Sequence, residues 1–467
     1  MRAAKRWGWV LAAVTVMALI AAWSAPSPAQ QNTPAVDIDP DDIGGVVTST
    51  AGPEAGVWVI AETNAFQTRF SKIVVTDDRG RYVIPDLPSA DYTLWVRGYG
   101  LADSAKVTGR PGTRVNLTAV VAPNAAVAAK VYPAVYWYAM MHLPPESELA
   151  NVKGGMNRYL YIMKNGACAG CHQMGNEYTR TIPQELLTQF PSSQAAWARR
   201  IQSGQAGAGM IGLAGVQLGG VPLKYLADWT DRIAKGELPA QKPERPTGME
   251  RNVVVTVRDW SNPKAYMHDL TGTDWRHPTV NGYGPLYGAP ELSTDDFPIL
   301  DPIKNVATTF FAPVRDADTP GADATPPLQP SPAWGTERIW HSKANAHNPI
   351  MDQKGRVWYT ASVRAPNNNP AFCKAGSDHP SAKLYPMTSS GRQLSVYDPA
   401  TKKYTFVDTC FSTQHLRFAE DANNTLWTSN DRAAEIGETV GWLNTKLFDE
   451  TGDAAKAQGW TALVLDT

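Results

Sequence analysis

The 467-residue sequence has no excess of charge of either sign. Lys and Arg number 43 and Asp and Glu 44, so no basic face points to nucleic acid or an anionic membrane, and a nucleic-acid partner is not expected. Cysteine is scarce. Of four in all, Cys168 and Cys171 stand close together, while Cys373 and Cys410 are isolated, leaving no second CxxC pair for a zinc site. The abundant residues are 16 Trp, 36 Pro and 37 Gly. With only 19% charged residues, such a chain reads as many short strands and turns rather than long helices. Single cores seldom grow past roughly 250–300 residues, so two to four domains are expected.

The N-terminus carries a long uncharged apolar run. Arg2, Lys5 and Arg6 precede "WGWVLAAVTVMALIAAW", and "SAPSPAQQ" then places Ser27 and Ala29 where a signal peptidase reads small residues. Residues 1–29 are expected to be a signal peptide, with an uncleaved anchor as the alternative. The run from Trp7 to Trp23 falls somewhat short of the ~20 residues that span a bilayer. Either way the chain is expected in the periplasm or outside the cell, where disulfides survive.

From Gly44 the pattern turns to short alternating apolar runs: residues 56–62, 71–77, 80–85, 91–98 and 113–121 all fit strands. Asp77-Asp78-Arg79-Gly80 is a tight-turn signal between two of them. "GGVVTSTAGPEAGVWVIAE" and "VVTDDRGRYVIPDLPSADYTLWVRGYG" resemble the carboxypeptidase regulatory-like domain, a prealbumin-type β-sandwich, over residues 43–123. The Thr76–Tyr82 turn, Tyr92 and Gly98-Tyr99 carry the likeness, although Ala90 stands where the family has glycine. The resemblance implies an accessory module without catalytic residues, similar to carbohydrate-binding sandwiches. Residues 124–150 form a connector whose aromatic run "VYPAVYWYAMMHLPP" is expected to pack on a neighbouring domain.

Helical periodicity follows. Met156, Tyr159, Leu160 and Met163 lie at i, i+3, i+4, i+7, with Gly166 able to close the helix. Ser192 is a helix N-cap ahead of Trp197 and Ile201, and Pro222 opens a third helix carrying Tyr225, Leu226, Trp229 and Ile233. Between the first two lies "KNGACAGCHQMGNE". Two thiols at CxxC spacing followed by histidine suit covalent haem attachment: each thiol adds across one haem vinyl group and the adjacent imidazole reaches the iron. A thioredoxin-like dithiol would follow a strand and leave the histidine without a task. The layout over residues 151–240 resembles class I cytochrome c. That resemblance implies haem c, with Cys168 and Cys171 as thioether anchors, His172 as proximal ligand and Met210, on a loop before the last helix, as distal ligand. Met174, Met141 and His142 are the alternatives for the distal position. A His/Met iron has a raised potential suited to taking up single electrons.

After the Pro-rich stretch 238–248, strands return. "HNPIMDQKGRVWYT" from His347 and "HLRFAEDANNTLWTS" from His415 repeat: Asp352 precedes Trp358, and Asp421 precedes Trp427, by six residues, with Gly355 and Asn424 in the turns. Omitting the loop-like insertion Arg364–Arg392 leaves ~40 residues per repeat, a propeller-blade length. "RQLSVYDPATKKYTFVDTCF" reads as a hairpin. This part, residues 250–467, resembles β-propellers of the streptogramin-lyase type. Two blades are legible, four if "RNVVVTVRDW" and "VATTFFAPVRD" are counted, fewer than a closed propeller of ~4–8 blades would average. The final "GWTALVLDT" reads as an open strand, so an incomplete propeller is expected. The resemblance makes His347, His415 and Glu420 candidates for catalysis or metal binding. Cys373 and Cys410 are expected to form a disulfide pinning the insertion.

The whole is read as multidomain and mainly β: an N-terminal sandwich, a small all-α cytochrome c domain and a partial propeller. The expected function is covalent haem binding and electron transfer in an oxidoreductase. Its partner would be a redox protein or a small-molecule electron donor or acceptor. The alternatives are a lyase, or a protein that binds carbohydrate or another polymer, with the haem domain as accessory.

Overall fold

The computed structural model describes residues 36–429 and 439–462. The expected signal peptide (1–29) and the last part of the "GWTALVLDT" strand lie outside the described residues. Among those described, six sheets make the protein multidomain and mostly β, and no single helix is long and apolar enough to cross a membrane.

Most N-terminal strands divide between two five-stranded sheets, and Leu101–Ala102 with Val120–Val121 forms a third, two-stranded one. Ile43–Ser49 pairs with Arg81–Ile84, while Trp58–Thr63 pairs with both Phe70–Val75 and Tyr92–Arg97. Their inward residues, including Ile43, Val47, Ile84, Val59, Phe70 and Leu94, make one core. Arg81–Ile84 alternates buried and half-buried residues, as a strand showing one face to a core does, whereas Trp58–Thr63 and Tyr92–Arg97 hold three consecutive buried residues each. The Asp77–Gly80 turn forms: Asp77 Oδ1 accepts from the Arg79 and Arg81 amides at 2.9 and 2.8 Å, and Gly80 takes φ +71°. It hands the chain from one sheet to the other instead of closing a hairpin. The run expected as one strand over 113–121 is three short pieces. It runs beside Ile43–Ser49 at first, then crosses to Leu101–Ala102.

The connector folds as two short helices, Ala125–Ala129 and Ala134–Tyr138, and packs on the helical segment that follows. Trp229 Nε1 donates to Trp137 O at 2.8 Å, and the Tyr138 ring meets Trp229 edge-on with centroids 5.8 Å apart. Gly175 is needed at this contact, since a Cβ there would stand 2.0 Å from Ala134 O. The helices are Gly155–Leu160, continuing as a wider π-type turn through Asn165, then Ser193–Arg200 and Val221–Ala234. Ser192 caps the second by accepting from the Ala195 amide, and a proline opens the third. Tyr159, Met163, Trp197, Leu226 and Trp229 share their core with Met141 of the connector.

The sequence reading needs one correction here. "RNVVVTVRDW" is not a propeller strand. Val255–Arg258 adds to the edge of the N-terminal sheet, antiparallel to Phe70–Val75. The Pro-rich stretch before it is anchored there too, with Arg245 paired to Glu54 and bonded to Tyr99 O. The edge of Phe70–Val75 offers unpaired backbone groups, and a β-prone run satisfies them.

Three four-stranded antiparallel meanders follow in order: Asp269–Thr271 to Val306–Phe311, Pro349–Met351 to Lys403–Val407, and Leu416–Phe418 to Gln458–Ala462. The "VATTFF" run is thus the last strand of the first meander. The first and second share a core built on Phe297, Tyr359 and Tyr397, with Phe310 stacked on Tyr397 at 3.9 Å. The second and third share another around Trp358, Phe418 and Leu426. Asn348 ties the first strands together: its amide nitrogen donates to Asp269, and its oxygen accepts from the Leu416 amide at 2.8 Å. Cys373 and Cys410 form a disulfide with a 2.00 Å S–S bond, fastening the insertion to the second meander.

Candidate functional sites

Two groups of chemically able side chains stand out. The first is the CxxCH turn. Cys168–Cys171 forms one helical turn of its own, and His172 leaves it in an extended conformation. Both thiols are free. Cys168 is half-buried with its sulfur 3.9 Å from Met163 Sδ, and burial, with the nearby Cys171, pushes its pKa up. The His172 ring is exposed at its surface. Enough protein surrounds it, however, that burial, aided by the Arg200 charge, pulls its pKa below the ordinary histidine value. Arg200 is itself buried, donating to Thr181 O and Tyr178 O with its guanidinium over the Trp197 and Tyr178 rings. It thereby fixes the chain just beyond the motif.

The remaining ligand candidates are placed as follows. Met210 ends the helical turn Gly207–Met210, which runs on into Ile211–Gln217; the loop expected from its glycines is absent. Gly207 is there because a Cβ would lie 2.3 Å from Gln202 O, a close-packing requirement and not a flexible one. Met210 is half-buried, and among the described residues no hydrogen bond joins it to Cys168, Cys171 or His172. Met141 is buried in the helical core and Met174 packs against it, while His142 bonds Asp228 at 3.0 Å.

The second group is a histidine cluster. His268 and His415 directly precede the first strands of the first and third meanders, and His347 stands two residues ahead of the first strand of the second. Adjacency of those strands brings the histidines together. The His268 and His347 rings lie 3.9 Å apart between centroids, and His347 Nε2 is 3.3 Å from His415 Nε2. Glu291 joins them, with Oε1 2.9 Å from His347 Nδ1 and also paired with Arg392. Burial raises the Glu291 pKa, but the His347 hydrogen bond and the Arg392 charge outweigh it and hold the carboxyl below its usual range. His415 is lowered by burial and by the other two histidines. His268, Glu291 and His347 each bring a ligand atom within 4.8 Å of the others. Glu420 is exposed and outside this group. The acid here is Glu291, which sequence reasoning missed along with His268.

The segments that carry the two groups are bonded to each other. Gln205, on the helical segment, donates to Ala322 O and Trp340 O and accepts from the Trp340 amide. Next in the chain, the His341 amide donates to Ser293 O at 3.0 Å, two residues from Glu291. Ser293 in turn bonds Tyr266, whose hydroxyl is pushed up in pKa by burial and then by the charges of both Cys171 and Glu291. Tyr266 also meets the His268 ring edge-on, with centroids 5.9 Å apart.

No protein-family model matches the chain, and no curated protein matches it significantly.

Proposed function

We propose that the protein is an exported c-type cytochrome fusion, an oxidoreductase in which covalently held haem c takes electrons from a substrate handled at the histidine-lined end of the meanders. In this reading residues 43–123 are the carboxypeptidase regulatory-like sandwich and 151–240 the small all-α cytochrome c domain. The three meanders are successive blades of a streptogramin-lyase-like propeller. The observation that carries it is the free-thiol CxxCH turn on a helical segment that is bonded, through Gln205, to the stretch running into the histidine-lined meanders. An electron carrier set against a second polar site has a use in redox chemistry that it lacks in a plain lyase.

The residues fit haem. Cys168 and Cys171 are unpaired and three residues apart on one helical turn, and the exposed His172 follows in an extended conformation. The buried Tyr159 hydroxyl, in the same core that Cys168 packs against, has no hydrogen-bond partner among the described residues, so a polar group entering there would meet a donor. Cys168 and Cys171 would hold the haem, His172 would ligate it, and Met210 is the proposed distal ligand. When bound, the group supplies one-electron exchange. The chain's own part is positional: Arg200 holds the loop beyond His172, and the core on Tyr159 and Trp229 keeps the CxxCH turn against the connector. The electron partner is a second redox protein or a small molecule, and the sandwich is free to engage a carbohydrate or other polymer.

The test is an absorbance spectrum of protein matured in a haem-attaching periplasm, taken before and after donor addition. Reduction by a donor that needs Glu291 supports the reading. A lyase reading is favoured by one observation, the His347–Glu291 pair, which suits proton transfer. Product formation undiminished in Cys168→Ala/Cys171→Ala would select it.

A further inference from the structure

We propose that His268, His347 and Glu291, joined by His415, form a binding site for one divalent transition-metal ion of the class that prefers imidazole, such as zinc or copper. The site is separate from the haem iron and does not depend on the haem reading.

The hydrogen bonds settle which nitrogens are free. His268 Nδ1 lies 2.9 Å from the His347 carbonyl oxygen. A carbonyl only accepts, so Nδ1 carries the proton and the lone pair of neutral His268 is on Nε2. His347 Nδ1 lies 2.9 Å from Glu291 Oε1, and an ionised carboxylate also only accepts. His347 therefore presents a lone pair at Nε2 as well. Histidines that bind metals are held in this way, with the far nitrogen donating to a carbonyl or carboxylate that fixes tautomer and ring. Here both kinds of second partner are present, one for each ring.

The spacing agrees. His347 Nε2 and His415 Nε2 are 3.3 Å apart. Two nitrogens bound at about 2.0–2.1 Å to one tetrahedral ion are separated by about 3.3 Å. Glu291 Oε1 is committed to His347 and Arg392, while Oε2, 4.0 Å from His268 Nε2, remains for the ion. An imidazole-rich set with one carboxylate selects zinc, copper or nickel over magnesium or calcium. His415, the most exposed of the three histidines, faces His347 and lies outside the three residues whose ligand atoms are all within 4.8 Å of one another. His268 and Glu291 come from the first meander and His347 from the second, so the ion would also clip these two together and stabilise them by linkage. The competing arrangement is a proton shared between His347 and His415 with no metal.

The test uses the full chain, stripped with chelator and dialysed against zinc, with bound zinc counted by elemental analysis. One equivalent is expected, together with a rise in the melting temperature of the C-terminal region. His347→Ala and His268→Ala should weaken binding by at least ~100-fold, and the exposed His415→Ala by about 10–100-fold. His142→Ala, a surface residue elsewhere, should change nothing. Cys168→Ala/Cys171→Ala must bind the same zinc, which separates this proposal from the haem reading. The melting shift of the unmutated protein needs no variant and so survives any folding defect in the His268 or His347 changes. No zinc at micromolar concentration, no melting shift, or equal zinc in the His268→Ala/His347→Ala chain would overturn the site and leave the shared proton.

Discussion

The CxxCH turn and the histidine cluster differ in how the chain builds them. Cys168, Cys171 and His172 lie within five consecutive residues, on a single helical turn and its exit. Covalent spacing alone keeps them together, so the group survives rearrangement of its surroundings. His268 and His415 are far apart in sequence and meet only because three meanders set their first strands side by side, with Asn348 bonding to both neighbours. One site is written locally and the other is written in topology. Damage to the meanders should therefore disperse the histidines while leaving the CxxCH turn intact.

The largest expected effect strikes the local site alone. Replacing Cys168 and Cys171 with alanine should abolish covalent haem, read as loss of colour after denaturation, and leave the meanders folded by circular dichroism. Next is a pair of repeat-equivalent tryptophans. Trp358 is fully buried, donates to Asp352 at 2.9 Å and packs on Phe418 and Phe448; Trp427, in the same repeat position, is 37% exposed. Trp358→Ala should destabilise the C-terminal transition by about 3–5 kcal/mol, and Trp427→Ala by less than about 1 kcal/mol. Urea melts of that transition decide it, and equal losses would mean that the two meanders are not packed as described. Third, Cys373→Ser with Cys410→Ser should cost the same transition about 2–4 kcal/mol without altering haem content.

The smallest effect concerns pH. Burial raises the Asp408 pKa, but hydrogen bonds from Arg364 and Arg315 overcome this and hold it below the ordinary carboxylate range. A carboxyl depressed in the folded state stabilises above about pH 4 and loses that contribution as pH falls through its folded value. Asp408→Asn should therefore flatten the acid side of the stability curve of the meanders. An unchanged slope would remove Asp408 from the account.

Much of the helical segment was legible because its signals are local. The Ser192 cap, the proline opening Val221–Ala234 and the i, i+3, i+4, i+7 series ending at Met163 need only a few neighbouring residues. The Asp352–Trp358 repeat was readable for the same reason, with Gly355 at φ +75° and Asn424 at φ +49° taking the turns. His268 was missed because its meander replaces that short turn with the longer stretch 272–285, which hides the repeat. Glu291 carries no periodic signal at all; it reaches the cluster from a kinked loop in which the next residue, Leu292, takes φ +61°. Gly207 misled in the opposite sense, since glycine tolerated for close packing in a helix reads like glycine in a loop. Val255–Arg258 looked like any strand, and only the open edge of Phe70–Val75 decided where it would pair.

The account rests most heavily on haem being bonded to Cys168 and Cys171, and one mass measurement addresses that directly. Protein matured in a haem-attaching periplasm is digested with trypsin, and the peptide Asn165–Arg180, which holds both cysteines and His172, is weighed. Covalent attachment makes this peptide heavier by the mass of one haem, with both thiols unreactive to alkylation. The same peptide at its unmodified mass, with two alkylatable thiols, would contradict it.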